Sequence, residues 1–345
     1  MFIVTHDADQ NHWLLLNVIA ECNGGSNLCQ QSYSNITHLI THDSYALSPN
    51  IAATQDYDII NQLSNGVRGI KLSAVPSLMN PNRIHLCHTT CAILDAGSIT
   101  DTLNNITIWL QSNPKEVITI MWNNLYDLDA SQIAMAYESS HIIPFIYLHN
   151  NSLSSWPTLQ EMIDSGKRVV NFIDSKADPV QIPWLMDQFS NIFETPYDNT
   201  DINSFNCNVD RIAPNLNPKD LMYVLNHFIY GVVDIAMIKI EIPSRIKAQA
   251  VNAKPSLSQH IQNCTTIFQK KPNFIEVDFY TIGDASSIVA ELNGVTLKRP
   301  IMPLSISTVN KPTTTKLSNV QQKKNHHVTL RGELLDGGDS ISIFL

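Results

Sequence analysis

The chain has 345 residues, of which 43% are hydrophobic and only 15% charged, enough apolar material for one large core in a single domain with extensions. Its formal net charge is −9 and it has no basic run long enough to follow a phosphate backbone, which excludes nucleic acid as a partner. An anionic lipid surface stays open only if a few cations are placed locally.

In chain order, residues 1–21 come first and contain an apolar run of eight residues from Trp13 to Ala20, the length of a signal-peptide core. Asp7 and Asp9 precede it and no Lys or Arg does, so the segment reads as a poor signal or a disordered leader, too short to span a bilayer. The cysteines are Cys22, Cys29, Cys87, Cys91, Cys207 and Cys264, and N-x-S/T sequons stand at Asn35, Asn105, Asn150 and Asn263. Together they favour an oxidising, extracellular compartment and a glycoprotein. Short separations favour Cys22 with Cys29 and Cys87 with Cys91, which leaves Cys207 with Cys264.

Continuous apolar runs predict strands at 37–41, 69–73, 83–87, 117–122, 145–148, 169–173, 191–194 and 273–279. Between them, Ile99, Leu103, Ile106 and Leu110 recur at helical spacing and Asn113-Pro114 stops the run, which predicts a helix over 99–112. A second helix is expected over 159–165, closed by Gly166. Such alternation of about eight strands with helices predicts an α/β barrel over 22–299. Residues 300–345 are polar without sustained periodicity and read as a flexible tail.

Chemistry concentrates at three strand ends. His42 follows the run 37–41 and His88 follows 83–87, where an α/β barrel carries its reactive groups. Histidine moves protons near neutral pH, so the two suggest a base and an acid. Asp278 ends the last predicted strand, which in a closed barrel lies beside the first. It can therefore reach His42, fix its tautomer and raise its basicity.

With these segments on the page, the chain resembles a known family. His42-Asp43-Ser44-Tyr45, Gly66-Val67-Arg68, His85-Leu86-Cys87-His88, Asn113-Pro114-Lys115-Glu116, Gly166-Lys167 and Phe274-Ile275-Glu276-Val277-Asp278-Phe279-Tyr280 are similar to the phosphatidylinositol-specific phospholipase C X-domain superfamily. Segments 28–37, 194–197 and 224–228 are similar to its secreted, cysteine-bearing fungal branch of phospholipase C-like phosphodiesterases. The resemblance covers about 22–295. It implies a distorted TIM (β/α)8 barrel that cleaves a phosphodiester by ring-forming transfer, acting on a phosphoinositide or related phospholipid with transient membrane contact. By matching position it makes His42 the base, His88 the acid and Asp278 the carboxylate that orients His42.

The chain also departs from the active pattern. Metal-independent bacterial members carry an acid and then a phosphate-facing arginine on the second strand, and calcium-dependent members carry two acids there. This chain has Lys71 and Ser73. Asp43 alone cannot supply the six to eight oxygens calcium takes, so no metal cofactor is expected. Strand alternation puts Lys71 and Ser73 on one face, which makes Lys71 the expected phosphate cation. Asp43, Asn123 (where the bacterial pattern has lysine) and Tyr280, with Trp122, are the remaining pocket candidates. Two rival readings follow from the same residues. One is a degenerate barrel that binds a phospholipid or sugar-phosphate head group without cleaving it. The other is a zinc site from His38, His42, His85, His88, Cys87 and Cys91, disfavoured because His85 and His88 fall on opposite faces of a continued strand.

Overall fold

The computed structural model describes residues 3–6, 13–16, 21–149, 156–235 and 238–296. Eight parallel strands form one curled sheet: β1 (His38–Thr41), β2 (Gly69–Pro76), β3 (Ile118–Asn123), β4 (Val169–Ile173), β5 (Leu185–Asp187), β6 (Ile192–Glu194), β7 (Met222–Asn226) and β8 (Phe274–Val277). Their spatial order is β6-β7-β8-β1-β2-β3-β4-β5, so the last strand lies beside the first. Among the described residues no ladder joins β5 to β6, and the result is an α/β, single-domain TIM barrel open at one seam. At the β1–β2 contact the backbones approach so closely that a Cβ on Gly69 would stand 2.8 Å from Ile40 Cβ.

Seven helices are described: α1 (Ile59–Ser64), α2 (Ile99–Ser112), α3 (Ala130–Ser139), α4 (Leu159–Asp164), α5 (Arg245–Val251), α6 (Lys254–Phe268) and α7 (Ala285–Leu292). Helix α2 buries the four apolar residues that predicted it, is capped by the Ser98 hydroxyl on Thr100 N–H, and ends before Pro114, which cannot continue the ladder. Thr158 and Glu161 form a capping box that starts α4.

Two predicted strands are corrected. The run 83–87 forms Ile84–Cys87, which pairs antiparallel with the far end of β2 (Ala74 opposite Leu86) and with Asp95–Ser98, a hairpin beside the barrel instead of a stave. The run 145–148 is a 3₁₀ turn, Ile143–Phe145, followed by a single bridge from Ile146 to Val169; Pro144 has no N–H to give a ladder. Strands β5 and β7 are the staves that take their places.

Alternation sorts the strand residues by face. Leu39, Ile70, Leu72, Ile120 and Ile275 point outward under the helices, while Ile40, Met121, Phe172, Ile192, Val224 and Phe274 fill the barrel. Each buried side chain of this size contributes about 1.5–3 kcal/mol, so this apolar floor supports whatever lies above it. Two residues further along, the inward positions turn polar: His42 follows Ile40, Glu194 follows Ile192, Asn226 follows Val224, and Glu276 then Asp278 follow Phe274.

All three expected disulfides are present, Cys22–Cys29, Cys87–Cys91 and Cys207–Cys264. Within 1–21, Ile3–His6 and Trp13–Leu16 pair as antiparallel strands. The tail expected over 300–345 lies outside the described residues, among which no helix is long and apolar enough to cross a membrane.

Candidate active site

The rim is organised by one carboxylate. Asp43, the first residue after His42, takes a left-handed backbone (φ 39°), a conformation aspartate tolerates better than most side chains. Its Oδ2 lies 3.8 Å from His42 Nε2 and 3.6 Å from His88 Nε2, so the two imidazoles converge on a single oxygen. Its Oδ1 accepts a hydrogen bond of 2.9 Å from Ser73 Oγ. The opposite nitrogen of His42, Nδ1, is 2.9 Å from Asp278 Oδ1. The barrel thus brings together residues 236 positions apart, as the adjacency of the first and last strands predicts. Gln55 Nε2 ties the His42 and Val277 carbonyls together at 2.9 and 3.2 Å.

His88 stands inside the small ring closed by Cys87–Cys91. Its main-chain N–H donates to Leu94 O at 3.2 Å, and Tyr45 Oη donates to Cys87 O at 3.0 Å. Phe228 stacks on the His42 ring with centroids 4.1 Å apart, and Tyr230 meets it edge-on at 6.3 Å.

Below the rim lies a second polar layer. Lys71 points inward, as alternation predicts, but its Nζ is 3.2 Å from Glu276 Oε2 and 3.6 Å from Glu194 Oε1, and all three are buried. Arg211 pairs with the other Glu194 oxygen, its guanidinium 4.4 Å from the Tyr197 ring centre. Gln188 Nε2 donates to Glu194 Oε1 at 2.5 Å. A lysine already shared by two carboxylates has little charge left for a phosphate, which weakens the role expected of Lys71.

These contacts set the protonation states. Burial alone would push His42 down, but Asp43, Asp278 and Glu276 outweigh it and hold its pKa up at about 9. Lys71 is likewise held up by Glu194 and Glu276 against burial. Burial raises Asp278, an effect the charge of His42 opposes. At neutral pH His42 is therefore an imidazolium, the cation best placed to meet an anionic oxygen at the rim.

Two pocket candidates are corrected. Tyr280 is fully buried on the outer face, where its hydroxyl accepts from Asn65 Nδ2 at 2.8 Å. Strand β8 ends at Val277 and Phe279 is left-handed (φ 46°), which breaks the alternation that would have aimed Tyr280 inward. Trp122 is also outward, its Nε1 donating to Tyr137 Oη at 2.7 Å. Asn123 stands opposite Ser73 in the β2–β3 ladder, on the inner face. Residues not singled out from sequence are Glu276, Glu194, Arg211, Phe228 and Tyr230. Glu276 carried a readable signal, because it shares the face of Asp278 two residues on.

The zinc reading loses its thiolates to the Cys87–Cys91 disulfide, and His85 Nδ1 instead pairs with Asp95 at 2.9 Å. Among the described residues, the sets of three converging metal-ligating side chains are Cys207–His260–Cys264 and Cys87–Cys91–Asp95, all of whose cysteines are in disulfides. Lys71 and Ser73, at the two places where the resemblance expects acids in calcium-dependent members, are instead bonded to Glu276 and Asp43.

A curled parallel barrel carries His42 at the carboxyl end of its first strand, and His88 faces the same aspartate from the hairpin beside the barrel. The PI-PLC X 1 family model matches residues 28–293, and the chain belongs to the PI-PLC X domain family. A protein of Arthroderma benhamiae named PI-PLC X domain-containing protein 1 is 34% identical over 280 residues, covering 79% of this chain and 90% of that one. A second from the same fungus, named an uncharacterized secreted protein, is 35% identical over 80% of this chain, which spans only 64% of its length. Among solved structures, a mutant phosphatidylinositol-specific phospholipase C of Staphylococcus aureus superposes with TM-score 0.55 at 16% identity, covering 78% of this chain and 95% of that one. The Listeria monocytogenes enzyme of the same name gives TM-score 0.53 at 16% identity, over 77% and 94%. Both likenesses concern the fold.

Proposed function

We propose that the protein is a metal-independent phosphodiesterase of the phospholipase C type, working by acid–base catalysis between His42 and His88. The observation that carries this reading is the convergence of both Nε2 atoms on Asp43 Oδ2 while His42 Nδ1 rests on Asp278. A hydroxyl beside the phosphate gives its proton to His42 Nε2 as its oxygen bonds to phosphorus. The bond from phosphorus to the departing alcohol breaks, and His88 protonates that alcohol. The products are a cyclic phosphate and the free alcohol. Each proton-transfer group contributes roughly 10²–10⁴-fold. Because His42 is held up at about 9, it can take that proton only in the fraction of protein molecules in which it is neutral.

The family and the names of its bacterial structural relatives support a phosphoinositide or related phospholipid as substrate, met at a membrane surface. The three disulfides and the secreted relative support an extracellular protein. Asn35, Asn105 and Asn263 are exposed sequons that suit a glycoprotein, while Asn150 lies outside the described residues.

A second reading, binding without cleavage, draws on Ser73 standing where the bacterial arginine would be and on Lys71 being shared by two glutamates. Phosphorus-31 NMR of phosphatidylinositol vesicles incubated with wild type, His42→Ala and His88→Ala separates the two. A cyclic phosphate formed by wild type and lost in both variants supports catalysis. Intact lipid in every sample favours binding alone.

A further inference from the structure

Three strands bring one residue each to the same height of the barrel. Val224, Phe274 and His38 stand opposite one another across β7, β8 and β1, and Asn226, Glu276 and Ile40 do so two residues further on. Another step of two along each strand gives Phe228, Asp278 and His42. The base and its orienting acid thus share a rung with an aromatic ring. His42 and Asp278 are joined at 2.9 Å, and Phe228, 2% exposed, lies over the imidazole with the planes 9° from parallel and the centroids 4.1 Å apart.

The phenyl ring is held from both sides along the chain. Asn226 Nδ2 donates to Thr195 O at 2.7 Å, His227 N–H donates to Glu276 O at 2.9 Å, and Tyr230 N–H donates to Asn199 O at 2.8 Å. The His227 ring is fixed separately, with Nε2 2.9 Å from Val251 O and one face stacked on Phe205 at 4.2 Å. Tyr230 closes the corner, edge-on to Phe228 at 5.7 Å and to His42 at 6.3 Å. A ring so fixed opposes tilting of the imidazole away from Asp278 and keeps water off one face of the base.

The stack also depends on charge. The face of a phenyl ring is the negative part of its quadrupole, so it attracts an imidazolium more than a neutral imidazole. The groups around His42 favour the same form: Asp43, Asp278 and Glu276 hold its proton on, His88 meets it through Asp43, and burial keeps the Tyr230 phenol neutral. An interaction that strengthens as the proton arrives lowers the barrier to its transfer. We propose that Phe228 is a positioning residue for the reaction at His42: its ring holds the imidazole with Nε2 turned to the rim and stabilises it more after it has taken the substrate proton than before. This rests on the phosphodiesterase reading for the role of His42, and it adds a neutral side chain that acts through that base.

Phe228→Leu removes the ring and keeps apolar bulk, and Phe228→Tyr puts a ring back. On phosphatidylinositol, Phe228→Leu is expected to lower the maximal kcat roughly 3–10-fold with KM unchanged, and to move the rising limb of the pH–rate profile down by about 0.5–1 pH. The variant and wild-type profiles then converge at acidic pH, because a weaker base is more often neutral there. Phe228→Tyr restores both. A loss of the same size at every pH, with the limb in place, is what a purely structural role gives and overturns the inference, as does a Phe228→Leu profile identical to wild type. Two NMR readouts need no turnover. In substrate-free wild type, the carbon-bound ring protons of His42, assigned by their loss in His42→Ala, are expected upfield of those of an unstacked histidine through the ring current of Phe228. Ordinary positions overturn the inference even if neither Phe228 variant folds. The His42 titration is expected to move to lower pH in Phe228→Leu, and an unmoved titration overturns the inference as well. Cleavage with an unmoved titration would defeat this inference alone; a moved titration in a protein that cleaves no phosphodiester would defeat the catalytic reading.

Discussion

His38 opens strand β1 and His42 follows its last residue, both turned to the same interior, 2% and 8% exposed, yet their protonation is opposite. His38 is pushed down to about 3 by burial, with the charges of Arg68 and Lys271 adding to the effect and a backbone hydrogen bond to Tyr33 opposing it. His42 is held up at about 9 because its burial comes with carboxylates on both sides. His227 and His260 repeat the first case: their Nδ1 atoms are 3.0 Å apart, and burial pushes them to about 3 and about 4. Burial sets the size of the penalty, and the partner decides its sign. Two repeats of the pleat therefore separate a neutral core histidine from a charged one.

The sharpest way to break the contrast is to exchange the two. On a cleavable phospholipid, His42→Ala is expected to lower turnover by roughly 10²–10⁴-fold, whereas His38→Phe leaves it at the wild-type level. A loss of comparable size in both variants, with folding intact by circular dichroism, would put catalysis elsewhere. Next comes the partner: Asp278→Asn should lower turnover less than removal of His42 does. It should also shift the rising limb of the pH–rate profile down from about 9, since one of the charges holding the imidazole up is gone. Wild type should gain activity with pH up to about 9, because a base must be deprotonated to act.

Stability should follow the same division. His42, raised from 6.5 to about 9, stabilises the fold fully below pH 6.5, and that contribution disappears as pH climbs through 9. His38, His227 and His260 are depressed, so the unfolded chain binds more protons than the folded one below pH 6.5 and stability falls with acidification toward 4 and 3. Urea midpoints should peak near pH 6.5, with Asp278→Asn flattening the alkaline side and His38→Phe the acid side. A profile unaffected by either substitution would contradict this account. The smallest effect concerns the outward tyrosine: Tyr280→Phe should cost about 0.5–1.5 kcal/mol through its bond with Asn65 and leave turnover unchanged. A change in KM there would return Tyr280 to the pocket.

Much of this was legible in the chain. The histidines at strand ends, the pairing of His42 with Asp278 through barrel closure, the inward face of Lys71 and helix α2 all follow from period and adjacency. What was hidden has physical reasons. β5 is three residues long, too short for a periodic signal. The turn that sends Tyr280 outward depends on a left-handed Phe279, which side-chain pattern does not announce. The partners of Lys71 come from strands far away in sequence, Glu276 being 205 residues distant, so its inward face was readable while its neutralisation was not. The antiparallel pairing of Ile84–Cys87 was invisible because a run of four residues gives no direction.

The ring closed by Cys87 and Cys91 tethers the backbone on either side of His88. Together with the main-chain bond to Leu94 and the Tyr45 bond to Cys87 it narrows the ways this side chain can swing away from Asp43, so the entropy of bringing the two histidines together is lost once, at folding, and not at each encounter with a ligand.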